Sequence, residues 1–190
     1  MDIAPPPGVV AWLDQDRRTV IRNIRRYGVH LTYVFDDPAR CACCRDLGEP
    51  SVGGESSVVG EERRPGPPFC YTTGLFGAGH PELLVAGLGE ARSMLLLNAA
   101  AQGVLDDDRD LTPGQEVIID GVDVLVEELP NPGEILLASN FYYDRPPAAS
   151  LPAYQLTWAD SMGRFPWDEG HQPGEWRQPR PGEWPEELRA

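Results

Sequence analysis

The 190-residue sequence contains no lysine, so all 16 of its basic residues are arginines. A chain without an ε-amine has no lysine to form a Schiff base with a substrate or to serve in a Walker A phosphate loop. The 30 acidic residues bring the net charge to −14, which opposes binding to a nucleic-acid backbone. We therefore expect neither lysine chemistry nor general nucleic-acid binding.

Long apolar runs are also missing from the sequence. No segment approaches the ~20 apolar residues of a membrane span, and the first residues lack the basic and apolar regions of a signal peptide. We therefore expect a cytoplasmic protein without membrane contacts. Gly and Pro are frequent, at 20 each, while 41% hydrophobic residues suffice for a packed core.

The composition changes along the chain and predicts three parts. Residues 1–10 are Pro-rich and predict a flexible leader, residues 11–168 a single domain, and residues 169–190 a Pro- and Trp-rich tail. Within the domain, residues 36–68 predict a long loop that contains cysteines. The tail repeats the sequence PGEW at 173–176 and 181–184, and its tryptophans can strap it onto the domain or onto a partner.

The helices of the domain are predicted from apolar periodicity. Residues 11–27 form an amphipathic helix, and its arginines can be solvated or can meet an anionic partner. These arginines are Arg17, Arg18, Arg22, Arg25 and Arg26. Residues 90–105 form a central helix with two stripes, one including Leu95 and the other Leu96, which predicts burial over much of its circumference. A short helix follows over residues 134–143, with Asn131 as its cap.

Segments rich in β-branched and aromatic residues predict one mostly antiparallel sheet. They cover residues 29–35, 69–75, 83–88, 117–119, 122–127 and 154–158. The dipeptide Asp120-Gly121 is typical of a two-residue hairpin turn. Because strands and helices mix without a βαβ rhythm, the sequence predicts an α+β domain.

The first candidate site surrounds the sequence GHPEL at 79–83. Pro81 stiffens the turn, so His80 and Glu82 project from a fixed backbone as an acid/base pair or as a metal ligand with its orienting partner. The alternative is a structural turn in which His80 bonds to buried carbonyls. Tyr71 and Thr72 on the preceding strand can add hydroxyl groups to the site.

The second candidate site is the sequence WADSMGRFPW at 158–167. Arg164 can clamp an anionic ligand with its planar guanidinium, or it can pair with Asp160 and close the loop. If the two candidate sites converge, His80, Glu82, Tyr71 and Asp160 are the catalytic candidates. Thr72, Trp158 and Arg164 are then the ligand-binding candidates.

The sequence contains four cysteines, and structural disulfides are disfavoured in a cytoplasmic protein. Cys41 and Cys44 have the Cys-x-x-Cys spacing, with Cys43 between them. Together with Cys70, these three cysteines can bind zinc, act as redox-active thiols, or be ordinary free thiols.

These motifs resemble a bacterial family known as domain of unknown function 4262. The resemblance covers about residues 20–170 and uses FCYTTGL at 69–75, GHPEL at 79–83, LLN at 96–98, and the closing WADSMGRFPW at 158–167. It implies a small intracellular bacterial domain without implying a reaction. Members often carry a Cys-x-x-Cys ahead of the first helix, where this chain has none.

Two functions fit these observations. The first is a small-ligand-binding or enzymatic domain with its site between the His80 turn and the 160–167 loop. Its strand and helix order is loosely similar to flavin-binding split barrels, by analogy alone. The second is a non-catalytic interaction protein of the inhibitor or immunity type, whose acidic surface masks a basic partner.

Overall fold

The computed structural model describes residues 7–35 and 66–184, which build one sheet with helices on both faces. Its strands are β1 (His30–Val34), β2 (Phe69–Thr73), β3 (Glu82–Ala86), β4 (Glu116–Ile119), β5 (Val122–Glu128) and β6 (Ala153–Trp158). Its helices are α1 (Pro7–Tyr27), α2 (Glu90–Asp106), α3 (Pro132–Ile135) and α4 (Leu137–Tyr142). The α+β class and the six predicted strands are confirmed.

The order of the strands decides where the functional groups lie. The sheet runs β1-β2-β3-β6-β5-β4, and only the β3–β6 pair is parallel. In that pair Glu82 lies opposite Ala153, so both strands start at the same edge of the sheet and end at the other. A parallel pair needs a crossover connection, and here it contains α2, the β4–β5 hairpin, α3 and α4.

Helix α2 covers one face of the sheet with a single apolar stripe. Leu96, Leu97 and Ala100 are buried in this stripe. Leu95 is 61% exposed, so the predicted burial of both stripes is wrong. Because an α-helix that lies on a sheet meets it along one side only, the stripe with Leu95 faces outward.

The opposite face is covered by α3, α4 and the tail. The predicted helix over residues 134–143 is two short helices, because the backbone leaves helical geometry at Leu136 with φ −87° and ψ 52°. Asn131 precedes α3 but its side chain makes no capping hydrogen bond, so that prediction is wrong.

Helix α1 begins at Pro7, four residues before the predicted start. Proline is well suited to the first turn of a helix, where its missing N–H has no partner to lose. Residues 7–10 therefore belong to the helix rather than to a leader, and residues 1–6 lie outside the described residues. The described helices include none that is both long and apolar enough to cross a membrane.

The turn between β4 and β5 has positive φ at Asp120 (51°) and at Gly121 (76°). Two consecutive residues in this region form the hairpin turn whose twist matches the flanking strands. The predicted hairpin is confirmed.

The tail folds back onto the sheet as far as Trp184. The Trp184 ring is 2% exposed, packs edge-on against Phe69, and donates from Nε1 to Gln155 Oε1 over 3.0 Å. The Gln178 side chain accepts from the Trp158 amide and donates to the Trp158 carbonyl, both over 2.9 Å. Of the two alternatives for the tail, the intramolecular one is therefore observed.

Candidate functional site

The carboxylate of Glu82 organises the turn between β2 and β3. Its Oε2 accepts from Thr72 Oγ1 over 2.6 Å and from the Leu75 amide over 3.3 Å. Its Oε1 accepts from the amides of Gly74 (2.8 Å) and Phe76 (3.2 Å). Glu82 is fully buried and these four donors are uncharged. The carboxylate is therefore occupied in holding the turn rather than exposed to a substrate.

Burial has a direct effect on the charge of Glu82. Desolvation raises the pKa of Glu82, and the hydrogen bonds from Thr72 and the backbone amides lower it only in part. The turn also needs a glycine at its start, because a Cβ on Gly74 would lie 2.6 Å from the Gly28 carbonyl oxygen and φ is +137°. The close packing of this turn leaves no room for a ligand at Gly74.

His80 is built into the same turn. A carbonyl oxygen only accepts, so its Nδ1 carries the proton that it donates to the Pro81 carbonyl over 2.7 Å. The residue is 7% exposed, and its ring meets the edge of the Tyr154 ring at 5.9 Å. Its Nε2 is buried without a hydrogen-bond partner among the described residues. The bond to the Pro81 carbonyl is of the kind that the structural alternative predicts, and a role of His80 as an acid or base stays a prediction.

Tyr71 and Thr72 also have structural partners. The Tyr71 hydroxyl accepts from the Ala138 amide over 3.1 Å and so fixes α4 to the sheet, and burial raises the pKa of Tyr71. Thr72 Oγ1 donates to Glu82 and accepts from the Leu83 amide over 2.8 Å. All the predicted residues at this edge are thus engaged within the fold.

The predicted site residues fall into two groups at opposite edges of the sheet. Tyr71, Thr72, His80 and Glu82 lie together at one edge. Trp158, Asp160 and Arg164 lie at the other, at and after the end of β6. Since β6 starts level with Glu82 and advances about 3.3 Å per residue, roughly 17 Å separate its two ends. The structure does not bring the two groups together.

Asp160 organises the loop after β6. Its Oδ1 accepts from the amides of Met162 (2.8 Å) and Arg164 (3.1 Å), and its Oδ2 accepts from the Gln172 amide (3.0 Å). The Arg164 guanidinium contacts Oδ2 through Nε (3.0 Å) and Nη2 (2.9 Å). Of the two roles predicted for Arg164, the pairing that closes the loop is observed.

The pKa of Asp160 is shifted in the opposite direction to the pKa of Glu82. Desolvation raises the pKa of Asp160, but the amides of Gln172 and Arg164 and the Arg164 guanidinium outweigh it. The pKa of Asp160 therefore lies below its usual range, and the carboxylate stays ionised in neutral solution.

A cleft of about 430 Å³ lies beside Trp158, between α2 and the β4–β5 turn. Its apolar wall consists of Leu88, Leu95, Leu96, Val122 and Trp158. Its polar lining includes Arg92, Asp120, Asp123 and Ser161. We call this the Trp158 cleft. The Trp158 ring is held in place because its Nε1 donates to the Ala86 carbonyl over 2.9 Å.

Within the part of the chain that the structure describes, three charged groups of the Trp158 cleft are left without a charged partner, whereas Asp160, which also lines the cleft, is paired with Arg164. Among the described residues, Arg92, Asp120 and Asp123 form no ion pair. These residues were missed in the sequence, although the carboxylates bracket the hairpin glycine that was recognised there. Their approach to Trp158 depends on β5 pairing with β6, which no local pattern reveals.

The predicted metal ligands are divided between described and undescribed residues. Cys41, Cys43 and Cys44 lie outside the described residues, so the zinc site they suggest stays a prediction. Cys70 lies on β2 in the core, where burial raises the pKa of its thiol to about 12 and disfavours the thiolate that zinc needs. Residues 7–35 and 66–184 contain no cluster of three or more metal-ligating side chains.

Comparison with known proteins gives one match. The model of the family described as Domain of unknown function (DUF4262) matches residues 23–172, a range that includes both edges of the sheet. No curated protein and no solved structure matches the chain.

Proposed function

The chain belongs to the family described as Domain of unknown function (DUF4262), and from its own geometry we propose that it is a ligand-binding domain whose site is the Trp158 cleft. The observation that carries this proposal is the exposure of Leu95 on the wall of the cleft. Leu95 extends the apolar wall of this concave surface, and a cleft with an apolar wall and a few polar groups is typical of a small-molecule site.

The lining of the cleft favours a particular ligand class. Its apolar wall suits a flat, apolar molecule that packs against Leu95 and Trp158. Two unpaired carboxylates against one guanidinium give the polar lining an excess of negative charge. We therefore propose a ligand with an apolar ring and a positively charged or hydrogen-donating substituent.

Binding fits this site better than catalysis does. Asp160, the one predicted catalytic residue that lines the cleft, is ionised and paired with Arg164. His80 and Glu82 lie at the far edge of the sheet. No predicted acid or base is thus placed to exchange protons with a molecule in the cleft.

The alternative function is an acidic interaction protein that masks a basic partner. Its support was the net charge of −14 together with the tryptophans of the tail. Trp184 is buried against Phe69 and Trp176 packs edge-on against Phe35, so these rings serve the protein's own fold. The net charge alone supports this alternative, and we prefer ligand binding.

The test uses three probes with the same ring and different charge: tryptamine, indole and indole-3-acetate. We expect tryptamine to bind most tightly and indole-3-acetate most weakly, measured by calorimetric or NMR titration. Leu95→Arg should weaken tryptamine binding tenfold or more, because it removes apolar wall and adds a like charge.

The matched control is Leu137→Arg, which changes a leucine that is 56% exposed on a different helix. It should bind tryptamine as the unmodified protein does. Equal tryptamine binding by both variants would overturn the proposal, and so would the absence of binding by all three probes.

A further inference from the structure

A second groove lies between α1 and α2 and shares no residue with the Trp158 cleft. It has a volume of about 880 Å³. Its floor is the start of β1, with His30 and Leu31. One end is closed where α1 meets α2, since a Cβ on Gly28 would lie 2.5 Å from Leu105 Cδ1. We call this the α1–α2 groove.

The walls of the α1–α2 groove combine apolar side chains, such as Met94 and Leu105, with several polar side chains and one carboxylate, Asp106. Asn98 and Gln102 stand one helical turn apart on the exposed side of α2, and Asn23 and Arg26 come from α1. Asn98 is the amide residue of the LLN motif at 96–98, and it lines this groove and not the Trp158 cleft. Each primary amide offers both a donor and an acceptor, and such pairs suit a planar heterocycle with mixed hydrogen-bonding edges.

His30 adds a further donor to the floor. The Asn23 amide lies 2.9 Å from His30 Nδ1, and an amide nitrogen donates, so Nδ1 accepts and Nε2 carries the hydrogen. Burial lowers the pKa of His30, and the more distant Asp16 opposes that shift only in part. The imidazole is therefore neutral at pH 7 and donates from Nε2.

A ridge of cations runs away from the groove along α1. A contiguous depression of about 520 Å³ is lined by Arg18, Ile21, Arg22, Arg25 and Arg26, and Arg26 lines the α1–α2 groove as well. Among the described residues none of these four arginines has an ion pair, although their neighbour Arg17 contacts Asp144 at 3.8 Å. The ridge thus concentrates four positive charges on a chain of net charge −14.

The spacing of the arginines fits a short polyphosphate. Arg22 and Arg26 are four residues apart, about 6 Å along the helix axis, which is close to the length of a chain of three phosphates. Each guanidinium can bind two phosphate oxygens at once. A long nucleic acid would also meet the acidic remainder of the surface, whereas a small anion contacts the ridge alone.

We propose that the α1–α2 groove and the adjoining arginines form a binding site for a nucleoside triphosphate. The base lies between the amides of Asn98 and Gln102 above His30, and the phosphates lie along Arg26 and Arg22. This site is independent of the Trp158 cleft.

The test measures calorimetric titrations of the protein with ATP, GTP, CTP, UTP and inorganic tripolyphosphate in low-salt buffer with magnesium. At least one nucleotide should bind tenfold or more tightly than tripolyphosphate does. The double variant Arg22→Gln/Arg26→Gln should weaken the nucleotide and tripolyphosphate alike, by tenfold or more. The double variant Asn98→Ala/Gln102→Ala should weaken only the nucleotide.

One control variant completes the experiment. Arg177→Gln removes an exposed arginine from the tail and should bind the nucleotide as the unmodified protein does. Tripolyphosphate binding as tight as that of every nucleotide would overturn the proposal. Unchanged binding by a folded Arg22→Gln/Arg26→Gln protein would overturn it too.

Discussion

At each of the two edges of the sheet, one carboxylate organises a loop and accepts hydrogen bonds from three backbone amides. Glu82 binds the amides of Gly74, Leu75 and Phe76, with the Thr72 hydroxyl as a fourth donor. Asp160 binds the amides of Met162, Arg164 and Gln172, with the Arg164 guanidinium as its additional partner. The two loops thus share one hydrogen-bonding plan.

Their difference lies in burial and in the charge of the last partner. Glu82 is buried and has no cation beside it among residues 7–35 and 66–184, and desolvation raises its pKa. Asp160 has a guanidinium beside it, and its pKa is lowered. Two carboxylates that each accept from three backbone amides therefore have pKa shifts in opposite directions, because burial and a neighbouring cation decide the sign. The loop with the paired carboxylate also borders the Trp158 cleft, whereas the turn held by Glu82 is closely packed.

The largest expected effect comes from removing the buried carboxylate. Glu82→Ala leaves the amides of Gly74 and Phe76 without acceptors in the interior, and we expect a loss of about 3 kcal/mol or more in the free energy of unfolding. Urea denaturation measures this loss. Glu128→Ala removes an exposed carboxylate from β5 and should change the stability by less than about 0.5 kcal/mol. An equal loss of unfolding free energy in the two variants would show that Glu82 does not stabilise its turn.

A smaller effect is expected at His80. His80→Ala removes one buried hydrogen bond and an aromatic contact with Tyr154, and the expected cost is about 1–3 kcal/mol. Tryptamine binding should be unchanged in the folded protein, because His80 lies at the other edge of the sheet. A stable variant that loses tryptamine binding would mean that the two edges act together, contrary to the strand register.

The smallest expected effect is a difference between Asp160 and Glu82 in how each makes the free energy of unfolding depend on pH. The lowered pKa of Asp160 adds stability above the unfolded value of about 4, and this contribution is lost as the pH falls below it. The raised pKa of Glu82 acts oppositely, because the folded state takes up the proton first and gains stability as the pH falls from neutrality towards about 4.

Urea denaturation between pH 7 and pH 3 separates these contributions. The stability advantage of the unmodified protein over Asp160→Asn should shrink below pH 4. Relative to Glu82→Gln, the unmodified protein should become more stable between pH 7 and pH 4. Parallel curves for all three proteins would contradict the opposite shifts.

Much of this fold could be predicted because its elements carry local signals. Enrichment in β-branched and aromatic residues marks the strands, and Asp120-Gly121 marks the hairpin. The parallel pairing of β3 with β6 has no such signal, since it joins segments about seventy residues apart. That pairing places His80 and Asp160 at opposite edges, so a single site could not be excluded from the sequence.

The candidate site was only half accessible to sequence reasoning. Trp158 and Asp160 were recognised because a tryptophan and a turn-forming aspartate stand in one motif. Leu95 was assigned to the core because it belongs to a stripe of apolar residues at helical spacing. Periodicity does not tell which of two such stripes meets the sheet. Arg92 has no motif at all, and its role depends on tertiary packing.

The tail affects when the protein can fold during its synthesis. Trp184 completes a core cluster with Phe69, and the two residues are more than a hundred positions apart. Contacts of such separation slow folding, because a long stretch of chain must be ordered before they form. While the ribosome is still adding the last of these residues, α3 and α4 already belong to the chain, but β2 and β3 lack the part of their cover that Trp184 supplies. The nascent domain therefore exposes apolar surface until Trp184 has emerged, and this interval is when it most needs protection from aggregation.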